Sequence, residues 1–266
     1  MKKINLKLIT AALAMTAVMC TSFSSFAEFG PGAGLSANTT TVSDNVTANV
    51  VNVPSSTETI INNEIPAGDT YALYEKLKSS LTAQLTDQII LVADHNLTLW
   101  NKQSDGNWIK AMDVYCGYGR NGLKPFNERR EGDKTTPIGS FPILHAFGFG
   151  SNPGTAMTWR EITQNSYWSG EKDTYNTWVE SATPIGGEHL IEYDICYKYA
   201  MAIGFNINPI VYKRGSAIFL HCKNPADWGS SGCVSVLEED MLKLLQKCHD
   251  GCYIMIVPDV DHISNF

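Results

Sequence analysis

The feature that most constrains the fold of this chain is a succession of short apolar runs, separated by glycine and proline, from residue 88 onward. Residues 88–93 are apolar after the first position and predict a buried strand, and residues 97–100 predict its hairpin partner. Residues 252–257, which precede a proline, predict a closing strand. We interpret the glycine and proline clusters between the runs as turns, at residues 117–119, 121–122, 136–141 and 147–150. Many short strands joined by turns predict a mainly β domain with a few helices.

Apolar residues at helical spacing predict a helix near each end of this region. The first leads into the domain, and its apolar positions are Tyr71, Leu73, Leu77, Leu81 and Leu85. The second covers residues 237–248, where acids 238–240 occupy the first turn and Lys247 lies in the last turn, as the helix dipole favours. Gly251 is placed to end this second helix.

The N-terminal part of the chain predicts export. A basic start, an apolar stretch and small residues before Ala27 are typical of a signal peptide over residues 1–27. Residues 28–66, rich in Ser, Thr and Asn, predict a disordered linker, and residues 67–266 predict one globular domain with its core at 88–257. No later apolar stretch is long enough to span a membrane. We therefore expect a secreted, extracytoplasmic monomer in the cell wall or periplasm.

Charge limits the classes of partner. Cleavage after Ala27 removes three lysines and no acid, which moves the formal net charge from −7 to −10. A protein this acidic has no general attraction for nucleic acid or anionic lipid. Substrates that carry amines fit better.

Cysteines in an exported chain raise the question of disulfides. Six remain after cleavage, and we expect at most one or two disulfides, with at least one thiol kept free for chemistry. Cys222 is either a passive neighbour of the site or a redox partner of Cys233, and a bond between Cys248 and Cys252 stays open. Neither a Cys-x2-Cys knuckle nor a His-x3-His pair is present, so we predict no metal and no cofactor.

Residues 215–236 carry the predicted chemistry. An apolar strand ends at His221, a polar loop follows, and Cys233 comes directly after Ser231 and Gly232. An imidazole beside a thiol is the arrangement that activates a cysteine nucleophile. Glycine before the cysteine lets successive backbone N–H groups point at a developing oxyanion.

These motifs resemble the YkuD-type L,D-transpeptidase family, whose members carry a strand-ending histidine before a Ser/Thr-x-Gly-Cys motif. Residues 119–123 and then 131–141 also resemble the family's Gly-Asp…Thr-Pro-x-Gly-x-Phe block, and residues 175–178 and 205–206 match a subgroup of the family. Ser231 and Ser235 stand where the commonest pattern has His and Arg, and the subgroup lacks both as well. The resemblance covers about residues 88–257.

The resemblance implies a β-sandwich or barrel catalytic domain that remodels peptidoglycan. Cys233 would attack a stem tetrapeptide, release D-alanine, and pass the acyl group to an amine of a neighbouring stem as a 3→3 cross-link, with His221 as base and acid. Candidate substrate-binding residues are Arg120, Lys134, Arg160, Tyr175, Trp178 and Ser230.

Two alternatives remain open. An L,D-carboxypeptidase or endopeptidase would use water in place of the acceptor amine, and sequence does not separate it from a transpeptidase. A non-catalytic wall-binding module would keep the fold, although an intact pair of His221 and Cys233 argues against it.

Overall fold

The computed structural model describes residues 69–266, and the predicted signal peptide and linker lie outside these residues. The strands are β1 (Gln88–Ala93), β2 (Asn96–Lys102), β3 (Trp108–Tyr115), β4 (Leu123–Pro125), β5 (Thr136–Gly148), β6 (Trp159–Glu161), β7 (Ser166–Ser169), β8 (Trp178–Glu180), β9 (Gly187–His189), β10 (Tyr199–Ile203), β11 (Phe219–Cys222), β12 (Val234–Val236) and β13 (Tyr253–Val257). The α-helices are α1 (Asp69–Ser79), α2 (Thr82–Leu85) and α3 (Glu238–Lys247). Single 3-10 turns lie at Phe126–Glu128, Lys172–Thr174, Leu190–Tyr193 and Val260–Asn265. The predicted mainly β fold is confirmed.

Most strands belong to one large sheet. Its order is β12-β11-β10-β5-β13-β1-β2-β3, and β4 and β6 also pair with β5. β1 runs parallel to β13, and β11 runs parallel to β12, while β10 is antiparallel to both β5 and β11. The strand prediction for residues 88–93 is confirmed at both ends.

The continuous apolar character of β1 follows from burial on both faces. Ile90 and Val92 face the cluster that packs against α3, and Ile89 and Leu91 face a second cluster that contains Tyr74 of α1. A strand covered on both sides has no solvent face on which a polar residue would be favoured.

The longest strand, β5, corrects one prediction. We expected turns at residues 136–141 and 147–150, yet residues 136–148 form a single strand. Its first residues pair with β4, its middle with β13 and its end with β10 and β6. Pro142 lies where β5 changes partner from β13 to β10, and a proline is tolerated there because the ladder is interrupted.

The predicted helix over residues 71–85 is divided. α1 ends at Ser79, and the hydroxyl of Ser80 accepts the N–H of Ala83 at 3.2 Å, which starts the short helix α2. Leu81 and Leu85 are each 64% exposed, so they do not belong to the apolar face that we predicted. The later helix is confirmed, with its acids in the first turn and Lys247 in the last. Gly251 does not end it, because the backbone is already extended at Cys248.

Strands β7, β8 and β9, which carry several aromatic residues, form a second, three-stranded sheet of order β8-β7-β9. Trp168 of β7 packs edge-on against Phe219 of β11, with ring centroids 4.9 Å apart. Trp178 of β8 makes a similar contact with Phe147 of β5 at 5.6 Å. The small sheet therefore covers the end of the large sheet that carries His221 and Cys233.

Two properties of the described part of the chain bear on the earlier expectations. Between residues 69 and 266, no helix combines the length and apolar character that membrane crossing requires. The described cysteines, all six that would remain after cleavage, are free thiols.

Candidate active site

His221 and Cys233 lie on the same face of two neighbouring strands. β11 and β12 pair in parallel with Leu220 opposite Val234, which places Cys233 beside Phe219. The N–H of Phe219 donates to Sγ of Cys233 at 3.3 Å. The ring of Tyr197 contacts both Phe219, at 5.4 Å, and His221, at 5.7 Å, so those two side chains share a face. The register thus places the two predicted residues at diagonal positions on one face of this strand pair.

The imidazole of His221 has a defined tautomer. Its Nδ1 lies 2.8 Å from the carbonyl oxygen of Cys222, and since a carbonyl only accepts, Nδ1 carries the proton. Nε2 then has the lone pair. Burial lowers the pKa of His221 below its ordinary value, so the ring is neutral near pH 7.

The thiol of Cys233 is held by backbone groups in the free protein. Besides accepting from Phe219, it donates to the carbonyl oxygen of Ala217 at 3.3 Å. Burial, followed by the nearby carboxylate of Glu188, raises the pKa of Cys233 to about 12. The pair is therefore a neutral thiol beside a neutral imidazole.

Glu188 and Tyr197 form a polar pair next to this site that the sequence analysis did not find. The Tyr197 hydroxyl donates to Oε2 of Glu188 at 2.5 Å. Burial raises the pKa of Glu188, and the Tyr197 hydroxyl opposes that rise. Neither residue belongs to a motif, and only the fold brings Glu188 of β9 to Tyr197, whose ring contacts His221.

The loop before Cys233 is fixed by side chains from another strand. Thr136 accepts the N–H of Gly119 at 2.8 Å and donates to the carbonyl of Gly232 at 2.7 Å. Gly232 has φ +144°, and a Cβ there would lie 3.0 Å from the carbonyl oxygen of Thr135, so only glycine fits without strain. The Ser230 hydroxyl accepts the Gly232 N–H at 3.0 Å and donates to the Cys233 carbonyl at 2.6 Å.

A buried arginine, also missed by the sequence analysis, lies behind this loop. Arg129 is 2% exposed and forms an ion pair with Asp133, and it donates to Thr135 at 2.9 Å. Its Nε has no hydrogen-bond partner among the described residues. A Cβ on Gly232 would lie 3.5 Å from the guanidinium of Arg129, which therefore lies close to the loop before Cys233.

The predicted substrate-binding residues have different surroundings. Arg120 is exposed and donates to both oxygens of Asp227, at 3.2 and 3.0 Å. Lys134 is exposed, in a turn with φ +57°. Arg160 is exposed and stands over the ring of Trp178 at 5.6 Å.

The other predicted substrate contacts take part in hydrogen bonds within the protein. The Tyr175 hydroxyl donates to Glu131 at 3.1 Å and accepts the N–H of Gly215 at 3.2 Å. Trp178 donates to Glu180 at 2.6 Å. Ser230 has the loop contacts described above, so the structure does not bring all six candidates to one place. Within the described residues, no group of three or more His, Cys, Asp or Glu side chains is arranged to hold a metal ion.

Comparison with known proteins identifies the family. Residues 87–257 match the model of the YkuD family, the L,D-transpeptidase catalytic domain. This match covers more than half of the chain, and the protein therefore belongs to the YkuD family of L,D-transpeptidase catalytic domains. A search of curated proteins found no match.

Three solved structures illustrate which proteins this chain is similar to. The helical cell shape determining protein Pgp2 from Campylobacter jejuni is 15% identical with a TM-score of 0.38, over 73% of this chain and 59% of that chain. L,D-transpeptidase 1 from Mycobacterium tuberculosis is 15% identical with a TM-score of 0.31, over 65% and 62%. A mutant L,D-transpeptidase from Enterococcus faecium is 16% identical with a TM-score of 0.33, over 65% and 50%. The chain thus spans less than two thirds of each of these proteins.

Proposed function

We propose that this protein is an exported L,D-transpeptidase, in which Cys233 is acylated by a peptidoglycan stem tetrapeptide, D-alanine leaves, and a second stem is joined in a 3→3 cross-link. The observation that carries the proposal is the diagonal placement of His221, on β11, and Cys233, the residue before β12, in a chain of the YkuD family.

The first half of the reaction uses the tautomer of His221. Since Nδ1 donates to the Cys222 carbonyl, Nε2 accepts the proton of Cys233 as the sulfur attacks the carbonyl carbon before D-alanine. The tetrahedral intermediate collapses when the C–N bond breaks. The departing amine of D-alanine takes the proton back from Nε2, and a thioester remains on Cys233.

The second half is the reverse transfer to a new amine. A neutral amine of a neighbouring stem attacks the thioester, and Nε2 of His221 takes its proton. The C–S bond breaks and the sulfur of Cys233 recovers the proton. The product is an amide between two stems. Water in place of the amine would give the hydrolytic alternative.

Stabilisation of the oxyanion requires a local change in the nucleophile loop. We propose the backbone N–H groups of Ser231, Gly232 and Cys233 as donors. In the free protein the Gly232 N–H donates to the hydroxyl of Ser230 at 3.0 Å. It has to break this hydrogen bond before it can donate to the substrate oxygen. Ser230 then acts by holding the loop. Arg160 and Lys134, both exposed, remain the proposed contacts for a stem carboxylate.

The proposal is tested with defined tetrapeptide stems and mass spectrometry of the products. We expect dimers that have lost one D-alanine with the wild-type protein and none with Cys233→Ala. The matched control is Cys196→Ala, which removes a half-buried thiol outside the proposed chemistry and keeps the activity.

Each other outcome has a defined meaning. Loss of D-alanine without dimers would assign the hydrolytic reaction instead. Full activity of a folded Cys233→Ala variant would refute the nucleophile. Equal wall binding by wild-type and Cys233→Ala proteins, without turnover by either, would favour the binding module. N-terminal sequencing of the extracellular protein, with Glu28 expected as its first residue, tests export.

A further inference from the structure

A cleft that no step of the proposed reaction uses lies beside the nucleophile loop. Its volume is about 580 Å³, within the range of small-ligand sites. One wall comes from the turn between β1 and β2 and from the segment after β3, and the other comes from the loop between β11 and β12. The lining residues are His95, Gly117, Tyr118, Gly119, Arg120, Gly122, Asp227, Trp228 and Gly229.

Aromatic rings form a continuous platform at this cleft. The rings of His95 and Tyr118 stack with centroids 3.9 Å apart and an interplanar angle of 13°. Tyr115, which borders the cleft without lining it, also stacks on His95 at 5.7 Å and meets Trp228 edge-on at 4.7 Å. Tyr118 and Trp228 both line the cleft and are only half-buried, so part of each ring stays open to solvent.

His95 is held in this place by an unusual backbone. Asp94 and His95 have φ of +48° and +61°, the conformation that a two-residue hairpin turn of this kind requires and that glycine or asparagine adopts more easily. Nδ1 of His95 also bonds to the Cys116 carbonyl at 3.0 Å, which orients the ring. Sparsely populated backbone conformations of non-glycine residues concentrate at binding sites.

The charges in the cleft favour an uncharged polar ligand. One nitrogen of Arg120 donates to both oxygens of Asp227, so the two ionic groups among the lining residues neutralise each other. They still offer donors and acceptors at the edge of the platform. A sugar ring matches this arrangement, because its C–H face packs on the electron-rich face of an aromatic ring while its hydroxyl and amide groups form hydrogen bonds.

The distance to Cys233 fits a sugar that carries the stem. Gly229 lines the cleft and precedes Cys233 by four residues, which limits their separation to about 14 Å along the chain. A stem peptide is attached to its glycan through a lactyl group. The carbonyl that Cys233 would attack belongs to the third residue of the stem. Three extended residues span about 10 Å, to which the lactyl group adds a little.

We propose that this cleft binds the N-acetylated sugar from which the donor stem hangs, so that the protein recognises glycan and peptide together. This inference rests on the proposed function for its choice of ligand. The sugar would pack on Tyr118 and Trp228, and its amide and hydroxyl groups would form hydrogen bonds with Arg120 and Asp227. The stem would then follow the loop from Gly229 to Cys233.

The first test is a titration with an uncharged, peptide-free tetramer of N-acetylglucosamine, measured by isothermal titration calorimetry. We expect binding by the wild-type protein and at least tenfold weaker binding by Tyr118→Ala, which removes a ring that lines the cleft. The control is Tyr71→Ala, a tyrosine on α1 that is 48% exposed and lies outside the cleft, and it should bind as the wild type does. No binding by the wild-type protein at millimolar tetramer, or unchanged binding by Tyr118→Ala, would overturn the inference.

The second test compares two substrates of the proposed reaction. With a stem tetrapeptide still attached to its glycan, Tyr118→Ala should raise KM about tenfold and leave kcat unchanged. With the free tetrapeptide, the same variant should match the wild type. Equal losses on both substrates would contradict a glycan site. If the wild-type protein turned over neither substrate, the proposed function would fail, and the tetramer titration would still decide whether the cleft binds sugar.

Discussion

Cys233 and His221 are both buried in the free protein, and burial acts on their two pKa values in opposite directions. The pKa of the thiol rises to about 12, while the pKa of the imidazole falls. Proton transfer from sulfur to nitrogen in the resting site is therefore unfavourable. We infer that the ion pair forms only as the sulfur attacks a bound substrate, when the developing bond stabilises the charge.

The pH dependence of alkylation tests this charge state. Because only the thiolate reacts, the rate at which iodoacetamide labels Cys233 should rise about tenfold per pH unit between pH 7 and pH 10. Peptide mass spectrometry separates this label from that on the half-buried Cys196. A plateau that begins below pH 8 would show an activated thiolate in the free protein and refute the inference.

At the residue scale, sequence predicted the two residues with a motif and missed those without one. His221 and Cys233 could be found because a strand end and a glycine mark their positions. Arg129 could not, since it stands in a charged stretch, residues 128–131, that is typical of a solvated loop. Its burial depends on Asp133 and Thr135, and the fold alone decides that these three side chains close on one another.

At the scale of elements, strand β5 holds the loop before Cys233 in place. Thr136, the first residue of that strand, connects the segment after β3 to the carbonyl of Gly232 through two buried hydrogen bonds. The nucleophile loop is thus attached to the long strand on which the large sheet is built.

A valine in place of Thr136 would keep the shape of the side chain and remove both bonds. Thr136→Val should lower the free energy of unfolding by about 1–3 kcal/mol, because the Gly119 N–H and the Gly232 carbonyl lose a buried partner. Urea unfolding measures the change. Thr183→Val, at an exposed threonine, is the control and should stay within about 0.5 kcal/mol of the wild type. A Thr136→Val protein as stable as the control would disprove the attachment.

At the element scale, the prediction succeeded where apolar pattern alone decides. β1 and α3 show continuous or periodic apolar residues and were found nearly to the residue. β5 failed because Pro137, Gly139 and Pro142 read locally as turn residues. A strand with four different partners has positions where no ladder bond is required, and sequence gives no sign of where a strand changes partner.

The stability of the whole domain should depend on pH through a histidine outside the proposed reaction. His145 on β5 is 7% exposed, faces the rings of Phe147, Trp168 and Trp178, and its Nε2 has no hydrogen-bond partner among the described residues. Burial, together with the positive charge of Arg160, lowers its pKa from 6.5 to about 4. Between these two values the unfolded chain binds a proton that the folded protein does not bind.

The contribution of His145 to the free energy of unfolding should therefore be fully present above pH 6.5. As the pH falls toward 4, the free energy of unfolding should decrease by about 3 kcal/mol from His145 alone. His221, whose pKa is also lowered by burial, adds to the same trend. Urea unfolding at pH 7 and pH 4.5 measures the loss. His145→Leu should lose less stability than the wild type over this range. An identical loss in His145→Leu would exclude His145 as the source.

The parallel pairing of β1 with β13 has a consequence for biosynthesis. The register joins Ile89, near the start of the domain, to Tyr253, near its end. β1 therefore leaves the ribosome long before β13 has been synthesised, and the edge of β1 that pairs with β13 stays unpaired until then. The large sheet can close only after the last strand has been made, because a contact this distant in the sequence forms late. A nascent chain of this protein thus stays open during most of its synthesis, the state in which a polypeptide can still be threaded through a narrow channel.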